Sequence, residues 1–386
     1  MYQILFKDIP VFNYELQNGF VQILNKKLMP FDIYLEEADD FDTRIQNNVN
    51  FYAWCVERIL PLDREYIKEI LNYYGFDQAV SDKERSKIAI ACRCLSLNDC
   101  FWLKTVDENI SWKDVNLFNN SLTNGVFEIA LFGKSFTITN KELSTSDLTT
   151  SGKAPKAWQR TEEGTYLLKG DKNDSVLKET EASQILSALG IENVGYTKEL
   201  FHNKPISKCK CFTNESIHFV KAQWFEIWCM NHDMSIIDYI EDNRMQFDRM
   251  NLADYLIGNN DEHSQNWGFI YNDDMEILSI NPLMDYDHAF ESHITSDCLP
   301  AKYVCLPGKR ITQLDMAIEV VKKHPDWLRT DIDLSGYKYG SFVKERIDIL
   351  KKELGIKKAG GESGDDGNAT FNLDGDELSD DDGFGM

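Results

Sequence analysis

The chain has 386 residues, 42 % of them hydrophobic and 12 % aromatic, which is enough material for two or three domains with cores of their own. Its formal net charge of -23 and pI of about 4.7 make the surface as a whole repel nucleic-acid backbones and anionic membranes. No apolar run approaches the ~18–20 residues of a membrane helix, and the opening MYQILFKDIPVFNYELQ breaks its apolar residues with Lys7, Asp8 and Pro10, unlike a secretion signal.

A cytoplasmic location is therefore expected, with no membrane or direct nucleic-acid partner. Nine cysteines, an odd number scattered through a long chain, are expected as reduced thiols. Cys92 with Cys94 and Cys209 with Cys211 form C-x-C pairs, but tight zinc sites use wider spacing, so buried thiols are the simpler reading.

In chain order, YQILF (2–6), PVFNYEL (10–16) and FVQILN (20–25) read as short strands separated by turn residues. Between 51 and 97 the period becomes helical. YAWCVERIL, REYIKEILNYYG and KERSKIAIACRCL carry apolar residues at three-to-four spacing, and Gly75 ends the second of them. Residues 1–140 are expected to form a small α+β domain whose role the sequence does not state. The stretch 141–156, KELSTSDLTTSGKAPK, is dense in Ser, Thr, Gly and Pro and reads as a loop. GTYLLKG (164–170) reads as a strand carrying Lys169. DSVLKETEASQILSALGIENVGY reads as a helix with Leu177, Ile185, Leu186 and Leu189 on its apolar side, closed by Gly190. YTKELFH (196–202) and SIHFVKAQWF (216–225) read as strands, and 227–354 as mostly helical. The terminal stretch 357–386 is expected to be a disordered acidic tail. Residues 359–386 hold nine acids and no Lys or Arg, with Phe371, Leu373 and Phe384 as candidate apolar anchors for a partner.

Inside the helical part lies GNNDEHSQNWGFIYNDDMEILSINPLMDYDHAF (258–290). WGFIYND and MEILSIN read as a hairpin around Asn272, Asp273 and Asp274, which are turn residues, while Trp267 and Phe269 are core. A hairpin returns the chain to its start. Asp261 and Asn266 on one side would then lie beside Asp285 on the other, with Asp287 nearby. Two carboxylates and a carboxamide suit a hard cation such as Mg2+, which keeps part of its shell for phosphate and water. The order, an Asp, an Asn five residues on, a hairpin and a second Asp, is the one used in nucleotide phosphoryl transfer. Lys169 offers a cation for ATP phosphates and Glu179 an acid to hold it. TTSGKAPK offers a phosphate-covering loop with Gly152 and Lys156, and the main chain from Val220 to Ala222 is a candidate for meeting the base.

SGKAPK (151–156), YLLKG (166–170), KETEASQILSALGI (178–191), GNNDEHSQNWGF (258–269) and PLMDYD (282–287) together resemble the HipA-like serine/threonine kinases, known as bacterial toxin components. The resemblance spans roughly 146–355. It implies an α+β, two-lobed protein-kinase-like fold, with a small β-rich lobe at 141–226 and a larger helical lobe at 227–356. It implies that Asp261 orients the substrate hydroxyl and accepts its proton, that Asn266 and Asp285 bind Mg2+, and that Lys169 binds ATP phosphates and pairs with Glu179. His263 would brace the catalytic loop. The resemblance also implies silencing by autophosphorylation in the phosphate loop, where Thr149, Thr150 and Ser151 cluster, and an antitoxin or regulatory partner. Glu181, two positions beyond Glu179, competes for the pairing role. Glu262 stands where many relatives carry a basic residue, and Asp287 has no assigned role. Three alternatives stay open from the residues: a lipid or small-molecule kinase with a similar D-x-H-x-x-N motif, a hydrolase using metals at Asp261, His263, Asp287 and His288, and an inactive kinase fold that only binds ligand.

Overall fold

The structure is a computed structural model and describes residues 1–59, 61, 65, 67–73, 81–120, 155–291 and 311–355. Its first layer is an antiparallel sheet of order β3-β2-β1-β4, formed by β1 (Tyr2–Phe6), β2 (Ile9–Glu15), β3 (Phe20–Ile23) and β4 (Phe101–Thr105). Helices α1 (Phe41–Glu57), α2 (Ile67–Tyr73) and α3 (Asp82–Ala91) lie between β3 and β4 in sequence, and the short α4 (Trp112–Val115) follows. Local chemistry sets two of the helix starts. The Asp40 side chain accepts the Thr43 N–H, and Ser81 and Glu84 form a reciprocal capping box. Phe12, Phe51, Trp54 and Trp102 are at most 1 % exposed, and each such ring withdrawn from water stabilises the layer by roughly 2–3 kcal/mol. The same apolar cluster runs on into Ala157, Leu168 and Ile206 of the next sheet.

That second sheet has the order β5-β6-β8-β7, from β5 (Lys156–Thr161), β6 (Gly164–Gly170), β7 (Tyr196–Phe201) and β8 (Lys204–Lys210). Helix α5 (Ser175–Ala188) packs against β7 and β8. A third sheet, β11-β10-β9, joins β9 (His218–Lys221), β10 (Gly268–Tyr271) and β11 (Ile277–Ile280). Among the described residues the chain continues with the helices α6 (Ala222–Asn231), α7 (Ile236–Asp242), α8 (Arg244–Ile257), α9 (Gln313–Lys323) and α10 (Gly340–Glu353). Their core unites Leu252, Leu256, Val320, Val343 and Leu350 with Ile185 and Leu186 of α5, so the helical part is welded to the small sheet's helix.

Two expectations need correcting, and one further strand has no counterpart in the sequence reading. The strand expected over 216–225 stops at Lys221, because the Ala222 N–H turns to the Trp267 carbonyl at 2.9 Å and α6 begins there. Within a continuous apolar run, alternation does not distinguish a strand from a buried helix. The expected loop reaches Lys156, which already opens β5, a strand the sequence reading does not contain. β8 has no sequence signature: Pro205 and three lysines dilute it, and only its pairing with β6 and β7 makes it a strand. The boundary expected near 140, the hydroxyl cluster Thr149, Thr150 and Ser151, Gly152 and the tail 357–386 lie outside the described residues.

Candidate active site

The register of the second sheet sets the site. Lys169 near the end of β6 is directly opposite Lys156 on β5 and Ser207 on β8, so the three side chains share one face. Glu179, one turn into α5, meets that face. Lys169 Nζ donates to Glu179 Oε1, and the Ser207 hydroxyl donates to Glu179 Oε2. Lys169 is 4 % exposed and Glu179 1 %, so this is a fully interior ion pair.

The second anchor comes from the helical part. Asp285 Oδ1 accepts from the same Lys169 Nζ at 2.7 Å. Its backbone is left-handed, φ 66°, a conformation that Asp tolerates better than most residues. Two contacts fix it there: the Asp285 N–H donates to the Tyr196 hydroxyl at 3.2 Å, and the Val194 N–H donates to the Leu283 carbonyl at 2.8 Å. Burial alone would raise the Asp285 carboxyl, but Lys169 and Lys156 outweigh it and hold the group well below the usual carboxylate range. Burial likewise opposes charge on Lys169, and Asp285 and Glu179 reverse this, keeping the ammonium protonated.

Glu181 does not compete for this role. Two positions apart on a 3.6-residue turn, it leaves α5 on the opposite side from Glu179 and accepts the N–H groups of Lys338 and Tyr339, at 3.0 and 2.9 Å, at the start of α10.

Between α8 and β10 the chain forms the loop that carries Asp261. Gly258 ends α8 with φ 63°, and a Cβ there would meet the Phe342 ring at 2.7 Å. The loop is tied within itself. Asn266 Nδ2 donates to the Asp261 carbonyl at 2.8 Å, the Asn266 N–H to the His263 carbonyl at 2.8 Å, and the Gln265 N–H to His263 Nδ1 at 3.2 Å. His263 thus braces the loop from an exposed position. The Asn266 amide, with its nitrogen turned inward, keeps Oδ1 as an acceptor.

Asp261, His263, Asn266, Asp285, Asp287, Lys169 and Lys156 all line one cleft of about 500 Å³, the size of a small-molecule site. A depression of about 490 Å³ on α10 is lined by residues of that one helix and gathers no converging polar groups. Val220 and Ala222, expected near the base, are 5 % and 0 % exposed and do not line the cleft; Phe212, Phe219 and Lys221 do.

Glu262 does not line the cleft. It lines a small internal pocket with Asp254, Asn266, Trp267 and Tyr286. Asn259 Nδ2 bridges Asp254 Oδ1 at 3.1 Å and Glu262 Oε2 at 3.3 Å. Burial pushes the Asp254 carboxyl up to about 7, and burial together with Asp254, Asp285 and Asp261 pushes Glu262 well above its ordinary value. Ser207, Tyr196, Asp254 and Asn259 are supporting residues that sequence reasoning missed. Only Asn259, beside the motif it holds, stood in a stretch that had been singled out.

Asp285 and the Asn266 Oδ1 are hard oxygen donors that fit Mg2+. Among the described residues no group of three or more His, Cys, Asp or Glu side chains converges to hold a metal, so phosphate and water oxygens would have to complete the shell. Asp261, His263, Asp287 and His288 form no such group among the described residues; His288 Nδ1 pairs with Glu291 at 2.9 Å and His263 Nδ1 accepts the Gln265 N–H.

No protein-family model matches the sequence, and no curated protein matches it. Among solved structures, HipA in the Shewanella oneidensis toxin–antitoxin complex of HipA, HipB and operator DNA is similar. The alignment has a TM-score of 0.51 at 12 % identity and covers 92 % of this chain and 98 % of that one. The Helicobacter pylori proinflammatory kinase CtkA aligns over 52 % of this chain and 92 % of its own, with 16 % identity and a TM-score of 0.39. The chain has an α+β, two-lobed protein-kinase-like fold of the HipA type preceded by an α+β layer.

Proposed function

We propose that the protein is an ATP- and Mg2+-dependent serine/threonine kinase of the HipA-like kind, transferring the γ-phosphate to a protein hydroxyl. The observation that carries this reading is the buried Lys169, held between Glu179 and Asp285 in a cleft that Asp261 and Asn266 also line. Phosphoryl transfer needs little covalent chemistry from the protein. It needs positioned cations on the phosphates and a group that takes the hydroxyl proton.

Each residue has a place in that scheme. Lys169 neutralises phosphate oxygens, and Glu179, fixed by Ser207, sets the position of its ammonium. Asp285 and Asn266 hold Mg2+, which supplies charge neutralisation on the transferring phosphoryl group. Asp261 orients the acceptor hydroxyl and receives its proton. Lys156 adds a second positive charge beside Asp285. Glu262, turned into the internal pocket, adds no negative charge of its own to the cleft, where Asp287 is the further carboxylate.

The scheme extends to the rest of the chain. Residues 141–226 and 227–356 are read as the small and large lobes, 1–140 as a domain in front of them and 357–386 as a tail. Thr149, Thr150 and Ser151 are the proposed autophosphorylation sites. The company of HipA with HipB in the Shewanella complex supports a regulatory protein partner here, and a cytoplasmic location is part of the same reading. Among the described residues no helix is long and apolar enough to cross a membrane.

Calorimetric titration with ATP, with and without Mg2+, tests the site. Wild type should bind ATP more tightly with Mg2+, and Asp285→Asn should abolish that difference. Equal affinity in magnesium and in chelator, unchanged by Asp285→Asn, would overturn the reading.

A further inference from the structure

The cleft has a wall that the two-lobed scheme does not supply. Ser96, Leu97 and Asn98, on the loop between α3 and β4, line it beside Phe212, Phe219 and Lys221. This loop belongs to the amino-terminal layer, and it is fixed from both sides. Behind it, the buried Arg58 donates to the Cys94 carbonyl at 2.6 Å, to the Phe101 carbonyl at 3.1 Å and to Asp99 Oδ2 at 2.9 Å. In front of it, the Leu97 carbonyl accepts the Thr213 hydroxyl at 2.5 Å and the Asn98 carbonyl accepts the Phe219 N–H at 2.8 Å.

The second of these front contacts uses up a donor at the cleft wall, the Phe219 N–H. Along the segment from β8 to α6, the N–H groups of Asn214, Ser216, Ile217, Phe219 and Ala222 are all committed to acceptors within the protein. The Asn98 main chain is committed as well, its N–H going to Ser96 Oγ at 3.0 Å. Its side chain is not: half-buried at the cleft, the carboxamide makes no hydrogen bond among the described residues. A carboxamide offers two donors and an acceptor, the complement of adenine's 6-amino group and the ring nitrogen next to it.

We propose that the carboxamide of Asn98, delivered by the amino-terminal layer, reads the edge of the purine bound in the cleft. The inference rests on the nucleotide reading above. It makes the amino-terminal layer a part of the nucleotide site and Asn98 a determinant of which base is accepted.

The test uses the full chain, with Mg2+ and three triphosphates: ATP, GTP and the triphosphate of purine riboside, which lacks the 6-amino group. Asn98→Ala should weaken ATP binding about tenfold and the purine analogue by less, because the analogue keeps the ring nitrogen but lacks the amino group that takes the second hydrogen bond. Asn98→Asp, an acceptor only, should shift preference from ATP towards GTP, whose ring N–H and 2-amino group are donors. Equal weakening of ATP and the analogue by Asn98→Ala would assign Asn98 a purely structural role and overturn the proposal, as would unchanged ATP binding. Failure of the wild type to bind any nucleotide would overturn the kinase reading and this inference with it.

Discussion

Replacing Lys169 by methionine keeps the length of the side chain and removes its charge, leaving Glu179 and Asp285 facing each other with no ammonium between them. Both carboxylates are withdrawn from bulk water, Glu179 almost completely. Removing one partner of a buried ion pair costs about 3–5 kcal/mol, most of it from the charge left behind. Lys169→Met should therefore unfold at markedly lower denaturant in a urea titration at pH 7.5, with a fall of roughly 10 °C in Tm. Lys169→Met/Glu179→Gln should recover more than ~1 kcal/mol of that loss, because the second substitution removes a stranded charge. The pH dependence has a definite sign. Glu179, which burial already pushes up, loses its opposing cation in the variant, so its folded pKa rises further above the unfolded value. The stability of Lys169→Met relative to wild type should then improve as pH falls from 7.5 towards 5 and the carboxylate takes a proton. A single variant within ~1 kcal/mol of wild type, or strict additivity in the double variant, would refute the idea that this lysine is the charge that holds the two lobes' acids together.

Asp254 titrates the other way from a salt-bridged acid. With its carboxyl pushed up to about 7 by burial, against an ordinary value near 3.9, its contribution is fully present below about pH 4 and is lost as pH rises through 7. Asp254→Asn should accordingly be more stable than wild type at pH 8 by up to roughly 4 kcal/mol and gain little at pH 4, as read from urea midpoints. Gly258→Ala should cost on the order of 1–3 kcal/mol, because it places a Cβ against the Phe342 ring at a left-handed position, and Tm will report it. Glu181→Ala should lower stability by about 1 kcal/mol through the loss of two hydrogen bonds at the start of α10 while sparing ATP affinity. Glu179→Ala should do the reverse in emphasis, weakening ATP binding at least tenfold.

The parts of this site legible in the sequence are those whose spacing is local. Asp261, His263 and Asn266 sit within one loop, Asp285 follows after one hairpin, and Lys169 precedes Glu179 by a strand end and a helical turn. Register on a sheet is not local. Ser207 reaches Glu179 only because β8 pairs with β6, and β8, with Pro205 and its lysines, does not announce itself as a strand. Tyr196 and Asn98 come from separate layers, and nothing in their own neighbourhoods points to the cleft. Glu179 and Glu181 are equivalent in composition, and the packing of α5 between a buried lysine and α10 distinguishes them. Of the stretch Val220 to Ala222 expected near the base, Lys221 lines the cleft, while Val220, opposite Phe269 in the third sheet, and Ala222 are buried in the interior.

Transfer of label from γ-labelled ATP in the presence of Mg2+ tests the central claim most directly, with wild type, Asp261→Asn and Asp285→Asn compared side by side and the modified residue located by peptide mass. The account predicts phosphate on a serine or threonine hydroxyl with wild type and its loss by at least a hundredfold in both variants. Transfer undiminished in Asp261→Asn, or wild type that binds Mg2+ and ATP yet modifies no hydroxyl of its own or of added protein, would contradict it.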